Sequence, residues 1–310
     1  MTKGERVNVY QIITDRIVTQ LEKGVIPWRK PWKGTADARL PRNVKGRPYR
    51  GINVWLLLSL GYDSPYFMTY KQAQSLGGKV KAGEKGMPVI LWQPFEKMAE
   101  DKEGVMRPKR FMTLRYYTVF NISQTEGCKF PKAVQASLDV QPSTAPVDEF
   151  AGIAAADAIF EGWTGKPTIA YDGNDRAYYV PSLDEIHLPK KASFRSSEGY
   201  YSTLFHELGH ATGHESRLNR KNANAFGSHA YGTEELVAEM TSSYLSAVAG
   251  IEQANLEDNA AYIGAWLKTI KEDVKAVVTA AGQAQKAADL IIGSAVAVEA
   301  VESEQESEAA

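Results

Sequence analysis

Apolar positions recur at helical spacing near the start of the chain. Val9, Ile12, Ile13, Ile17 and Leu21 share a face, and Gly24 and Pro27 stop the pattern, which predicts a helix over 5–23. INVWLLLSLGY (52–62) is apolar all round and reads as a buried helix. The stretch 69–86 reads as a short helix ending at Gly77-Gly78 and followed by a basic turn. MPVILWQPF (87–95) and RFMTLRYYTVFNI (110–122) are rich in β-branched and aromatic residues and predict two strands. The polar EKMAEDKEGVMRPK between them fits a loop or hairpin arm. Residues 131–147 lose aromatics and gain Pro, Ser and Thr, as a linker does.

The pattern then changes. An amphipathic helix is expected over 148–162, strands at 167–171, 176–181 and 183–188, and helices at 198–214 and 233–250, with one or two more over 260–292. The end of the chain, 293–310, carries five Glu and no base between Glu299 and Ala310, which predicts a disordered acidic tail. The pattern as a whole is α+β in two domains, 1–130 and 148–292, joined by the 131–147 linker. Trp55, Trp92 and Phe120 are expected in the core.

Composition narrows the class. With 44% hydrophobic and 24% charged residues in 310, the chain excludes collagen-like, wholly disordered and disulfide-scaffold classes. One cysteine, Cys128, cannot close an internal disulfide, and a reducing compartment, the cytoplasm, is expected. The amino terminus lacks the apolar core of a signal peptide, and no run of 18 apolar residues predicts a membrane span. The net charge of −1 hides a division. Residues 1–132 carry 24 Lys and Arg against 11 Asp and Glu, a net of +13, and the remainder carries −14. Such asymmetry points to a polyanionic partner for the first half.

That half also interleaves aromatics with bases. Trp28, Arg29, Lys30, Trp32 and Lys33 are followed by Arg42, Lys45, Arg47, Tyr49 and Arg50, and a similar mixture recurs from Tyr66 to Lys85. Bases of single-stranded nucleic acid stack on aromatic rings while Lys and Arg hold the phosphates, so single-stranded DNA is the expected ligand. No basic recognition helix or zinc finger favours sequence-specific duplex reading.

The second half offers a metal centre. In His206-Glu207-Leu208-Gly209-His210, two histidines four apart project from one helical face, and the Glu between them can act as general base toward a metal-activated water. A third ligand at His214 would need the helix to break, since positions i, i+4 and i+8 drift apart by about 6 Å per step. A downstream Glu is the better choice. Glu235 and Glu239 lie one turn apart, and Glu235 is assigned as ligand with Glu239 steadying a ligating histidine, the reverse assignment remaining open. Glu234 is expected to point elsewhere. Zn²⁺ suits this donor set, as do Mn²⁺ and Co²⁺. Peptide hydrolysis is the implied reaction, with strand 183–188 as the edge along which a peptide adds and His229 or Tyr231 as oxyanion donors.

Longer motifs link the two halves. GVIPWRKPW, NVKGRPYRGINVWLL, TYKQAQSLGGKVKAGEKGMPVI and YYTVFNISQTEG resemble the amino-terminal domain of ArdC-type antirestriction proteins, also found at the front of TraC-type primases. AYYVPSLDEIHLP, YYSTLFHELGHATGHESRLNR and EELVAEMTSSYL resemble the zincin-like metallopeptidase domain that accompanies it. The resemblance implies a single-stranded-DNA-binding domain joined to a minimal gluzincin-type peptidase. It also implies protection of incoming conjugative plasmid DNA from restriction. Its ExxA spacing corresponds to Glu235-Leu236-Val237-Ala238, which supports Glu235 as ligand. A DNA-bound protein or a restriction enzyme is the expected substrate. Two other readings stand beside it: a repair protease for DNA–protein crosslinks, and a non-proteolytic DNA-binding protein with a structural metal.

Overall fold

A computed structural model describes residues 8–28, 40–100, 104–136, 154–220, 229–251 and 259–293. Arg29, Lys30, Trp32 and Lys33 lie outside the described residues, as do most of the expected linker and the acidic tail.

Helix α1 (Val9–Glu22) starts where the Asn8 side chain accepts a hydrogen bond from the Gln11 N–H, and buries Ile13, Ile17 and Leu21 four residues apart. Strand β1 (Arg42–Asn43) precedes α2 (Ile52–Leu58), in which every residue is buried. β2 (Tyr66–Thr69) runs into α3 (Tyr70–Ser75) through a capping box between Thr69 and Gln72. β3 (Lys79–Val80), β4 (Met87–Glu100), β5 (Met106–Asn121) and β6 (Thr125–Glu126) follow. One sheet has the order β1-β2-β5-β4, and β3 pairs with β6. Asn53 locks α2 to the sheet, with its amide donating to the Ile90 carbonyl and accepting from the Ile90 N–H, both at 2.8 Å.

β4 and β5 are longer than their apolar cores. The apolar run through Leu91 is buried, after which both strands continue, still paired, to Glu100 and Met106. The polar segment between the expected strands is therefore a ribbon rather than a loop. At a rise of ~3.4 Å per residue, Trp92 to Glu100 extends about 30 Å from the core.

The expected linker begins as structure. α4 (Lys132–Ala136) buries Val134 in a small cluster with Met68, Ala73 and Ile122. α5 (Ala154–Gly162) leads to a sheet of β7 (Thr168–Ala170), β8 (Tyr178–Val180) and β9 (Glu185–His187), in the order β7-β9-β8. The helices α6 (Ser197–Ala211), α7 (His229–Ala249), α8 (Asn259–Glu272) and α9 (Ala276–Ile292) complete the second half.

The two halves share a single hydrophobic cluster. Trp28 is 0% exposed and meets Trp266 of α8 edge-on at 5.2 Å, while its carbonyl accepts a hydrogen bond from Ser243 of α7. Thr14 donates to the Val274 carbonyl at 2.7 Å, and Arg50 pairs with Asp289 of α9. Trp28 is thus a core residue and not a stacking platform: a ring closed off between helices has no face to offer a base. The same correction applies to Tyr49, 4% exposed against Phe67, and to Phe67 itself. Trp55 is core as expected, but Trp92 sits on the ribbon, 37% exposed. Phe120 is half-buried.

Candidate metal centre

α6 places the two histidines. Ser196 caps its start by accepting from the Gly199 N–H, and the helix then runs unbroken through His210, so His206 and His210 stand on one face. α7 crosses close beside it. Gly209 makes this possible, because a Cβ there would lie 2.9 Å from the Ala238 Cα. The close approach brings Glu235 onto the histidines.

Their donor atoms converge. His206 Nε2 and His210 Nε2 are 3.2 Å apart, His206 Nε2 is 3.6 Å from one Glu235 oxygen, and His210 Nε2 is 3.5 Å from the other. Ligands bound at ~2.0–2.1 Å in a tetrahedron lie about 3.3–3.4 Å from one another. One donor atom from each residue lies within 4.8 Å of the others, near the spacing that a shared divalent ion needs, and the residues present fit a metal.

The surroundings steady this face. Glu239 lies 3.5 Å from His206 Nδ1, as expected of a residue that orients a ligating imidazole. Glu234 does the same for His210, 3.5 Å from its Nδ1, so it does not point elsewhere. Adjacent positions on a helix differ by 100°, but Glu234 turns under the site to meet Arg220, which donates to both of its oxygens at 2.7 and 3.0 Å. Arg220 also donates to the Gly209 carbonyl and the Thr212 hydroxyl, each at 2.7 Å. Gly213 leaves room for it, since a Cβ there would lie 2.9 Å from the guanidinium. Spacing along the chain gives no sign of Arg220, because its partners are set by a chain reversal. Beyond Thr212 the chain folds back, with the Leu218 N–H donating to the Thr212 carbonyl. His214 lies past the end of α6, and its Nδ1 faces the Ser216 hydroxyl at 2.7 Å, so it is not among the converging donors.

Electrostatics match the geometry. Burial works against a charge on His206, but the Glu235 and Glu239 carboxylates outweigh it and hold the imidazole pKa well above its usual value. Burial raises Glu235, yet His206 and His210 bring its carboxyl down to about 2. Glu234 is lowered against its burial by His210 and Arg220. The carboxylates around His206 thus favour positive charge at this position, which a bound cation would supply.

The centre opens on a cleft of about 940 Å³. Glu207, nearly buried, lines it beside the metal triad, and so do Tyr178, Tyr179 and Tyr231. Tyr231 hydrogen-bonds to Glu235; nothing is described of the His229 side chain. The strand expected to offer an edge, 183–188, contains β9, which is held between β7 and β8. β7 and β8 are the two edge strands, and β8 is the one beside α6 and the cleft.

The chain has relatives of known family and structure. A family model for zincin-like metallopeptidases matches residues 154–283, and one for the N-terminal domain of the anti-restriction factor ArdC matches residues 7–120. The crystal structure of the metal-free antirestriction ArdC protein of plasmid R388 aligns with a TM-score of 0.72 at 38% identity, covering 92% of this chain and 97% of that one. The chain belongs to the ArdC antirestriction family. The Mn(II)-bound structure of R388 ArdC aligns at 0.71 and 36% identity, covering 94% and 100%. DNA primase TraC of Escherichia coli is 36% identical over 299 residues, which are 91% of this chain but 27% of the primase. A second TraC primase is covered to 20% of its length, so the chain spans about a quarter or less of these relatives. The uncharacterized protein y4eC of Sinorhizobium fredii is 33% identical, with 91% of each chain covered. An ArdC amino-terminal domain implies DNA binding, and among the described residues no helix is long and apolar enough to cross a membrane.

The DNA-binding residues expected from the 28–50 stretch fare unevenly. Trp28 and Tyr49 are core, and Arg50 is engaged by Asp289. Arg42 donates to the Gly46 carbonyl at 3.4 Å within its own turn. Lys45 is exposed and Arg47 half-buried on that turn, whose N–H groups at 45 and 47 both donate to Asn43 Oδ1.

Proposed function

We propose that this ArdC-family protein binds single-stranded DNA and acts in the cytoplasm as a metal-dependent peptidase on DNA-associated protein, protecting incoming conjugative DNA from restriction. The observation that carries the enzymatic part is the convergence of His206, His210 and Glu235 beside Glu207 at the floor of an open cleft. A divalent ion held by the triad, Zn²⁺ or Mn²⁺, would supply Lewis acidity and acidify a water. Glu207 is the base that takes the proton and hands it to the departing amine. Glu239 and Glu234 hold the imidazoles in the tautomer that presents Nε2 to the ion. Tyr231, whose hydroxyl donates to Glu235, steadies that carboxylate rather than serving as a free oxyanion donor. A substrate peptide in extended form adds to the outer edge of β8 and is thereby aligned across the triad.

Transfer of unmodified plasmid DNA into a restricting recipient tests the reading. Wild type raises the yield of transconjugants, and Glu207→Gln, which keeps the side-chain shape and the metal ligands but removes the base, loses that protection along with a roughly 10²–10⁴-fold drop in peptide hydrolysis. Protection retained by Glu207→Gln would leave DNA covering as the mechanism. No protection by wild type would defeat the antirestriction reading.

A further inference from the structure

The ribbon formed by the outer parts of β4 and β5 has two unlike faces, which the pairing register assigns. In an antiparallel pair, directly opposed residues lie on the same side, and alternate residues share that side. One face carries Phe95 opposite Phe111, Lys97 opposite Lys109, Ala99 opposite Arg107 and, nearer the core, Leu91 opposite Arg115. Gln93 and Thr113 lie between. Among the described residues this face bears no carboxylate. Glu96 and Glu100 fall on the other face, opposite Arg110 and Met106.

The two phenylalanines are stacked, with centroids 5.6 Å apart and planes inclined by 25°, and Phe95 is 45% exposed. Lys109 reaches over the Phe111 ring at 5.9 Å. Opposed Lys97 and Lys109 are both exposed, and like charges directly across a ladder repel. Phe95 is exposed and Phe111 half-buried, and this stacked pair, flanked on both sides by cations on a ribbon that leaves the core, belongs to neither buried cluster of the described residues. Its chemistry complements a flexible polyanion whose flat rings are free to stack.

We propose that this face of the β4–β5 ribbon is a contact surface for single-stranded DNA, with Phe95 and Phe111 as the stacking platform and Lys97, Lys109 and Arg115 on the phosphates. The assignment rests on the single-strand-binding reading above and relocates its aromatic contacts from Trp28 and Tyr49 to the ribbon. Same-side positions repeat every ~6.8 Å along each strand, and the twist of a two-stranded ribbon winds the face around its axis, a path that a single strand can follow and a stiff duplex cannot.

Two variants of the full-length protein test this with a fluorescent oligothymidylate and a matching duplex, each titrated at several salt concentrations. Phe95→Ala/Phe111→Ala is expected to bind the single strand roughly 10- to 100-fold more weakly, with an unchanged salt slope. Lys97→Ala/Lys109→Ala is expected to lower the slope of log affinity against log salt by about 1.4. Both should keep the wild-type circular dichroism spectrum and Mn(II) uptake. If wild type binds the oligonucleotide and both variants bind it equally well, the ribbon is not the site, while the single-strand reading stands. A wild type that prefers the duplex, or binds neither, overturns that reading and this proposal with it.

Discussion

Arg220 and Lys109 carry the same charge, yet one is enclosed beneath the metal centre and the other stands on an exposed ribbon. Arg220 spends its donors on Glu234, Gly209 and Thr212 and so ties the turn after α6 to α7. Lys109 faces another lysine across the ladder and leans over a phenylalanine. The aromatics divide the same way: Trp28 is sealed between helices, whereas Phe95 is stacked but open to water. Charge balanced within the chain builds the site; charge left unbalanced on a face is available to something outside it.

This contrast is broken most sharply at the metal. Glu235→Ala should abolish stoichiometric Mn(II) or Zn²⁺ binding by calorimetry, and Glu239→Gln should weaken it about 10- to 100-fold, while Lys97→Ala/Lys109→Ala leaves it unchanged. Equal metal binding in Glu235→Ala would remove that residue from the ligand set.

Stability separates the regions next. Arg220→Met strands the Glu234 carboxylate in a buried position and should cost about 3–5 kcal/mol in denaturant unfolding, whereas Lys109→Met should stay within about 0.5 kcal/mol. Trp28→Ala, which empties the junction between the halves, should also cost about 3–5 kcal/mol, and Phe95→Ala about 1 kcal/mol or less. A wild-type midpoint for Trp28→Ala would contradict the shared core.

The smallest expected effect is a pH dependence at the edge of the cleft. Arg217 donates to both Asp184 oxygens at 2.7 Å and holds the Asp184 carboxyl below its usual range. A depressed folded pKa contributes stability above the unfolded value near ~3.9 and loses it as pH falls through the folded value. Asp184→Asn should therefore be less stable than wild type at neutral pH, and the gap should close in acid. Asn tolerates the left-handed backbone at this position, where φ is 49°, so the substitution isolates the charge. A constant gap from pH 7 to pH 2 would count against the pair.

Much of this molecule is readable along the chain because it depends on periodicity. Histidines four apart on one helix face, the Glu between them, and a second pair of carboxylates one turn apart are local facts, so His206, Glu207 and His210 were accessible from spacing, whereas the choice of Glu235 over Glu239 leaned on the family resemblance. The buried α2 and the short helix before Gly77-Gly78 follow from the same logic. Composition was a weaker guide. Aromatic residues among bases mark a nucleic-acid surface only if their rings face outward, and the 28–50 stretch gave no sign that Trp28 would be capped by Trp266, more than two hundred residues away.

The amino-acid order by itself determined most of the helices, the two histidines and the pair of candidate carboxylates, since each arises from neighbours within a few residues, and it fixed the split of charge, which is a sum along the chain. Tertiary structure alone decided which Glu234 partner lies beneath the centre, which edge strand lines the cleft, and where β4 and β5 leave the core. Those outcomes depend on how distant segments pack: a side chain's exposure, and a charge's partner, are properties of the space around it rather than of its place in the chain.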